Sequence, residues 1–125
     1  MIVMTPEERQ LLLKDLSARL PYNVVIRCTD SDTDYKCFLT TDILIELQNN
    51  TMYFDYKPYL RPMSSMTEEE RKQYHEMLTK YDVSCFVSRL GGKVFDWLNI
   101  NHFDYRGLIP MGLALEALAH MYKTE

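Results

Sequence analysis

At Pro21 the spacing of apolar residues changes from about four to about two, and that switch constrains the fold more than any other feature of the chain. Before it, Leu12, Leu16 and Leu20 recur every fourth residue with Leu13 beside them, while Glu8, Lys14, Asp15 and Arg19 fall mainly outside the stripe. Thr5-Pro6-Glu7-Glu8 marks the start of this helix: the Thr5 hydroxyl can cap a free N–H, Pro6 needs no donor at the first position, and Glu8 completes a capping box. Pro21 disfavours helical geometry at Leu20, so the helix is predicted over residues 6–20.

After Pro21, β-branched and aromatic residues gather in Val24-Val25-Ile26, Tyr35 to Leu39, Ile43 to Leu47 and Met52 to Tyr56. Polar turn segments at Thr29 to Asp34 and Gln48 to Thr51 separate them, so residues 23–56 read as a β-rich core of four antiparallel strands. Lys57-Pro58-Tyr59-Leu60-Arg61-Pro62 carries two residues without ladder donors and reads as an extended connector over 57–66. Thr67-Glu68-Glu69-Glu70 repeats the capping box and opens a helical part over 67–122: a helix with Tyr74, Met77, Leu78 and Tyr81 on one face, a short helix from Val94 to Leu98 carrying Trp97, and a terminal helix from Leu113 to Tyr122. Val83 to Val87 reads as a fifth strand and Gly91-Gly92 as a turn.

The expected fold is therefore α+β: a small antiparallel sheet or partly open β-barrel of four to five strands, flanked by an N-terminal helix and C-terminal helices, in one domain over residues 1–125. The chain carries 14 basic and 18 acidic residues, a net charge of −4, which disfavours general coating of nucleic acid or anionic lipid. No apolar run approaches the roughly 20 residues of a membrane-spanning helix. Cys28, Cys37 and Cys85 are an odd set without zinc spacing, read as buried free thiols, although Cys28 and Cys37 are placed to face each other across a hairpin. A reducing cytoplasm is the expected setting.

Asp30-Ser31-Asp32-Thr33-Asp34 resembles the opening of a calcium loop, but Tyr35 and Thr41 stand where a glycine and a bidentate glutamate are needed, so a solvated hairpin turn is expected. His102-Phe103-Asp104-Tyr105-Arg106, close after Trp97, is the densest cluster of chemically capable side chains. As a site, His102 and Asp104 could share a proton, Arg106 could clamp an anion, and Tyr105 or Trp97 could stack on a ligand. As framework, the aromatics anchor a loop and Asp104 and Arg106 satisfy neighbouring polar groups. Tyr53, Phe54, Tyr56 and Tyr59, with Lys57 and Arg61, form a second aromatic and cationic group, and the Tyr-rich strand face it offers suits a protein interface at least as well as RNA. No nucleophile elbow, phosphate loop or HExxH motif is present, so an enzyme, a cofactor and a metal are not expected.

Three blocks of the chain resemble a known family: residues 13–22 (LKDLSARLPY), residues 57–69 (KPYLRPMSSMTEE), and the pieces Asp96-Trp97-Leu98-Asn99, His102 to Ile109 and Gly112 to Ala117. Together they are similar to small uncharacterised proteins encoded by phages, prophages and other mobile elements of gut anaerobic bacteria. The resemblance implies an accessory protein in a bacterial cytoplasm and brings no activity, cofactor or catalytic residue. Ile109-Pro110-Met111-Gly112 departs from the family pattern, which puts the course of the last segment in question. The expected function is a non-catalytic module that binds a protein partner; the alternatives are a protein that sequesters a nucleotide-like anion, with Arg61 and Arg106 brought together in a homo-oligomer, and a nucleic-acid-binding small barrel. The candidate binding residues are Trp97, His102, Asp104, Tyr105, Arg106, Tyr59 and Arg61.

Overall fold

A computed structural model describes residues 4–80 and 89–122. They form the expected α+β fold, with four helices and an open, mostly antiparallel sheet of five strands. No helix is long and apolar enough to cross a membrane among these residues. The expected strand at Val83 to Val87 lies outside them, as do Tyr81 and Cys85.

Helix α1 (Pro6–Arg19) begins as its capping box dictates, with Thr5 Oγ1 accepting from Glu8 N at 3.0 Å and Glu8 Oε1 accepting from Thr5 N at 3.1 Å. A 3₁₀ turn over Leu20–Tyr22 ends it, and Asn23 reverses the chain with a left-handed φ of 55°. Strands β1 (Val25–Thr29) and β2 (Asp34–Phe38) then form a hairpin in the register Val25↔Phe38 to Thr29↔Asp34.

The next two expectations are corrected. Ile43 to Leu47 is no strand; it lies in helix α2 (Thr41–Asn49), capped by Thr40 and closed by Asn50 at φ 56°. A strand would place Ile43, Ile45 and Leu47 on one face, whereas Ile43 and Leu47 are buried and Ile45 is 52% exposed, the outcome of helical spacing. Arg9 Nη1 donates to Leu47 O at 2.7 Å, fastening the C-terminus of α2 to α1.

Residues 57–62 are no connector; they belong to the longest strand, β3 (Asp55–Pro62), which pairs antiparallel with β1 from Ile26↔Pro58 to Thr29↔Asp55. The prolines fit because successive residues point their main-chain groups to opposite sides. Lys57 is paired with Arg27, Tyr59 O accepts from the Tyr122 hydroxyl and Arg61 N donates to His102 O, while Pro58 and Pro62 occupy the alternate positions, where their missing N–H groups are not called upon.

Beyond β3, a 3₁₀ turn over Met63–Ser65 leads to α3 (Glu68–Lys80), whose capping box joins Thr67 and Glu70 as the sequence suggests. Helix α4 (Arg89–Ile100) is longer than the expected Val94 to Leu98 and includes Gly91-Gly92, which therefore form no turn. The final correction is the C-terminus: Leu113 to Tyr122 contains no helix, but turns and the two-residue strand β5 (Leu115–Glu116), parallel to Tyr59 and Leu60, beside a second short strand, β4 (Phe103–Asp104), parallel to Arg61 and Pro62. Gly112 at φ 79° breaks the helical course, and Ala117 N finds its partner in Leu60 O at 2.7 Å.

Two apolar clusters result. Leu12 and Leu16 of α1, Ile43 and Leu47 of α2, and Leu108 and Leu113 pack on Ile26, Cys28, Tyr56 and Leu60 of the sheet. Met66, Val94, Leu98 and Phe103 form the second, around α4 and β4.

Candidate functional site

The candidate residues gather where β3, β4 and the end of α4 meet α1, and most of them are consumed by the framework. At the centre lie Asp15 and Arg19, one helical turn apart on α1 and both 0% exposed. Arg19 donates Nε to Asp15 Oδ2 at 2.8 Å and Nη2 to Asp15 Oδ1 at 3.1 Å and Phe103 O at 2.7 Å. Arg106 Nε reaches the same carboxylate at 3.2 Å. One buried carboxylate is thus shared by two guanidiniums, buried Arg19 and partly exposed Arg106, in an ion triad of net charge +1 that ties α1 to β4 and the loop after it.

Asp104 is equally committed: Oδ1 accepts from Leu108 N at 2.8 Å and Oδ2 from Ile109 N at 2.9 Å, which fixes the turn after β4. Tyr105 donates its hydroxyl to Asn99 Oδ1 at 3.0 Å, and its ring lies about equally far from two guanidinium carbons, 5.3 Å for Arg19 and 5.1 Å for Arg106. Arg61 forms a two-pronged bond to Glu70, at 2.9 and 2.6 Å, and stacks 4.2 Å over the Phe103 ring. That donation, aided by Thr67 N, holds the Glu70 carboxyl below its ordinary value despite the opposing effect of burial. Arg61 and Arg106 therefore each face a carboxylate and are not converged on a common vacancy.

His102 is buried at a left-handed φ of 63° and stacks on Tyr122 with ring centroids 3.7 Å apart. It does not bond to Asp104; its Nδ1 is buried with no hydrogen-bond partner among the described residues. Burial first, then the charges of Arg19 and Arg61, lower its pKa to about 4, so the ring is neutral at pH 7. Tyr122 in turn supplies a hydroxyl that accepts from Val25 N at 2.8 Å and donates to Tyr59 O at 2.7 Å, standing between two residues that would form the next pair of the β1–β3 ladder. Tyr59 is buried, with Lys36 Nζ 5.9 Å from its ring.

Two of the candidates meet a cavity: Arg61 lines one of about 230 Å³ with Glu116 and Tyr122, and Trp97 lines a larger and more apolar one. The Trp97 indole stacks with Tyr74 of α3, at 6.0 Å, and with Phe103, at 5.8 Å, and it lines a cleft of about 640 Å³. The cleft is apolar at Met77, Trp97 and Ile100 and polar at Gln73, Glu76, Lys93 and Asp96. Ile100 is 50% exposed.

The sheet carries a second surface that the sequence reading missed. Register places Lys36, Arg27 and Lys57 side by side across β2, β1 and β3, on the face opposite buried Ile26, Cys28 and Tyr56. None of the three forms an ion pair among the described residues, and the neighbouring row is Asp34, Thr29 and Asp55. The signal was available as cations at alternate positions of three strands, but their alignment needed the register. Asp15 and Arg19 were likewise assigned to the polar face of α1; their spacing of four was the legible hint.

The calcium-like loop is the hairpin turn: Asp30 Oδ1 accepts from Asp32 N and Thr33 N, at 2.8 and 2.6 Å, and no group of three metal-ligating side chains converges among the described residues. Cys28 and Cys37 meet on the core face with their sulfurs 3.1 Å apart as free thiols, and burial pushes the Cys28 thiol up to about 12. Compared with family models, curated proteins and solved structures, the chain matches none.

Proposed function

We propose that this chain is a non-catalytic binding module that takes a protein partner in the cleft between α3 and α4. The observation that carries the reading is the cleft's composition: an apolar floor of Met77, Trp97 and Ile100 within a polar rim, the anatomy of an interface core. Trp97 is held in that floor by ring contacts with Tyr74 and Phe103. The rim, with Glu76 and Asp96 beside Lys93, gives no net attraction to a nucleotide-like anion, and Arg61 and Arg106 are paired elsewhere. The commitment of His102, Asp104, Tyr105 and Arg106 to framework contacts supports a binding role over a catalytic one. The three sequence blocks support a phage or prophage setting in a bacterial cytoplasm.

The test is affinity capture from lysate of the source cell with wild type, Ile100→Glu and Tyr53→Ala. Ile100 and Tyr53 are both exposed, and only Ile100 lines the cleft. One stoichiometric protein retained by wild type and Tyr53→Ala and lost from Ile100→Glu is expected. Equal capture by all three overturns the reading, and a retained mass in the metabolite range by native mass spectrometry replaces the protein partner with a small ligand.

A further inference from the structure

We infer that the free edge of β2 is a self-association surface, through which two copies pair antiparallel about a two-fold axis with Asp34 of each opposite Lys36 of the other. The inference is independent of the α3–α4 cleft.

The first support is the direction of the main chain. Leu39 N donates to Val24 O at 3.0 Å, so in the β1–β2 register the bonded pairs are Val24 with Leu39, Ile26 with Cys37 and Cys28 with Tyr35. Tyr35, Cys37 and Leu39 therefore turn their N–H and C=O groups toward β1, and Asp34, Lys36 and Phe38 turn theirs outward. Nothing among the described residues pairs with that edge, and all three residues are exposed.

The second support is charge. An incoming strand bonds only if its own outward residues face Asp34, Lys36 or Phe38. For a second copy of β2, setting 36 against 36 confronts two ammonium groups, 34 against 34 confronts two carboxylates, and 36 against 38 sets an ammonium against a phenyl ring. Within β2 (Asp34–Phe38), the register of 34 against 36 alone places opposite charges together, and the two-fold axis makes that contact twice. A lysine on an edge strand ordinarily discourages pairing; here Lys36 opposes the 36-against-36 register, Asp34 opposes the 34-against-34 register, and the two attract each other in the register between.

The third support is the row behind each residue. Lys36 ends the row Lys57, Arg27, Lys36, and Asp34 ends the row Asp55, Thr29, Asp34. In the inferred register the cationic row of one copy runs directly into the acidic row of the other. Like charges directly opposite are unfavourable within one sheet, and the second copy supplies the carboxylate that the cationic row lacks. On the other face the axis passes beside Tyr35, which is 44% exposed and packed edge-on against Phe54 at 5.6 Å, so the two tyrosines form a cross-strand pair.

Sedimentation velocity over a concentration series is expected to show the mass rising from 14.8 kDa toward twice that value. Lys36→Asp and Asp34→Lys each set like charges against each other in the homodimer, and each is expected to raise the dimer dissociation constant at least about tenfold. An equimolar mixture of the two variants faces every aspartate with a lysine and is expected to restore the dimer. In wild type, the Asp34 and Lys36 amides are expected to exchange more slowly as the dimer forms, with Tyr35 and Cys37 unchanged. The inference is overturned by a wild type that stays at 14.8 kDa into the millimolar range, as it would if the edge served a strand of another protein. It is also overturned by single variants that dimerise as wild type does, by a folded mixture that stays monomeric, or by a dimer that leaves the Asp34 and Lys36 amides unprotected.

Discussion

The interior triad of Asp15, Arg19 and Arg106 and the surface row of Lys36, Arg27 and Lys57 are two solutions to placing cations close together. In the triad, Asp15 and Arg19 are fully buried, and each is hydrogen-bonded to a named partner. In the row, Lys36 is exposed, Arg27 and Lys57 are half-buried, and among the described residues no carboxylate lies within ion-pair distance of any of the three. A charge removed from water must be matched inside the protein, whereas a charge at the surface leaves its matching to solvent or to a second molecule. The same difference separates what stabilises this fold from what is available for recognition.

The strongest way to break that contrast is Asp15→Ala, which leaves Arg19 buried without its carboxylate. A loss of about 3–5 kcal/mol is expected, read as a lower midpoint in urea denaturation. A loss within about 1 kcal/mol would place the triad on the same footing as the surface row. Next comes Tyr122→Phe, which deprives Val25 N and Tyr59 O of their shared hydroxyl and is expected to cost about 1–3 kcal/mol in the same assay.

Acid titration separates two groups by window. The folded-state pKa of His102 lies below its ordinary value of 6.5, at about 4, so the folded protein binds fewer protons than the unfolded chain between those values. The resulting stability is present above pH 6.5 and lost as the pH falls toward 4. Glu70, also lowered, contributes stability that is present above its ordinary 4.5 and lost as the pH falls through its folded value. His102→Asn, which suits the left-handed backbone, is expected to flatten the denaturation midpoint between pH 6.5 and 4 and leave the steeper fall below 4.5. Glu70→Gln is expected to do the reverse.

The smallest effect is expected from Lys57→Glu, which places a carboxylate opposite Arg27. A gain of up to about 1 kcal/mol in thermal or urea denaturation is expected, and a marked loss would show that the row is held by contacts of the buried kind.

What could be read from the chain follows the range of the interactions involved. The capping boxes at Thr5 and Thr67 and the Asp30 turn are satisfied within three residues, and each forms as their spacing predicts. Ile43 to Leu47 reads as a strand from its aliphatic run, but five such residues suit either period, and contact with Leu12 and Leu16 on α1 decides for the helix. Pro58 and Pro62 argue against a strand only if their missing donors are needed, and that depends on which side β1 lies. Among the candidate residues, Trp97 is legible as an aromatic carried on a short helix, and it lies within α4 and lines the cleft. The roles of His102, Asp104, Tyr105 and Arg106 were not, since their partners Tyr122, Leu108, Asn99 and Asp15 are set by the fold.

By itself, then, the sequence determined where α1 and α3 begin, the β1–β2 hairpin and the α+β class, because capping, turn chemistry and periodicity act between near neighbours. Only the tertiary structure decided that α2 is a helix, that β3 is the strand joining β1 to β4 and β5, and that the C-terminal segment is a run of turns around the two-residue strand β5. Those choices rest on buried area and main-chain hydrogen bonds contributed by residues distant along the chain, and local preference is too weak to override them.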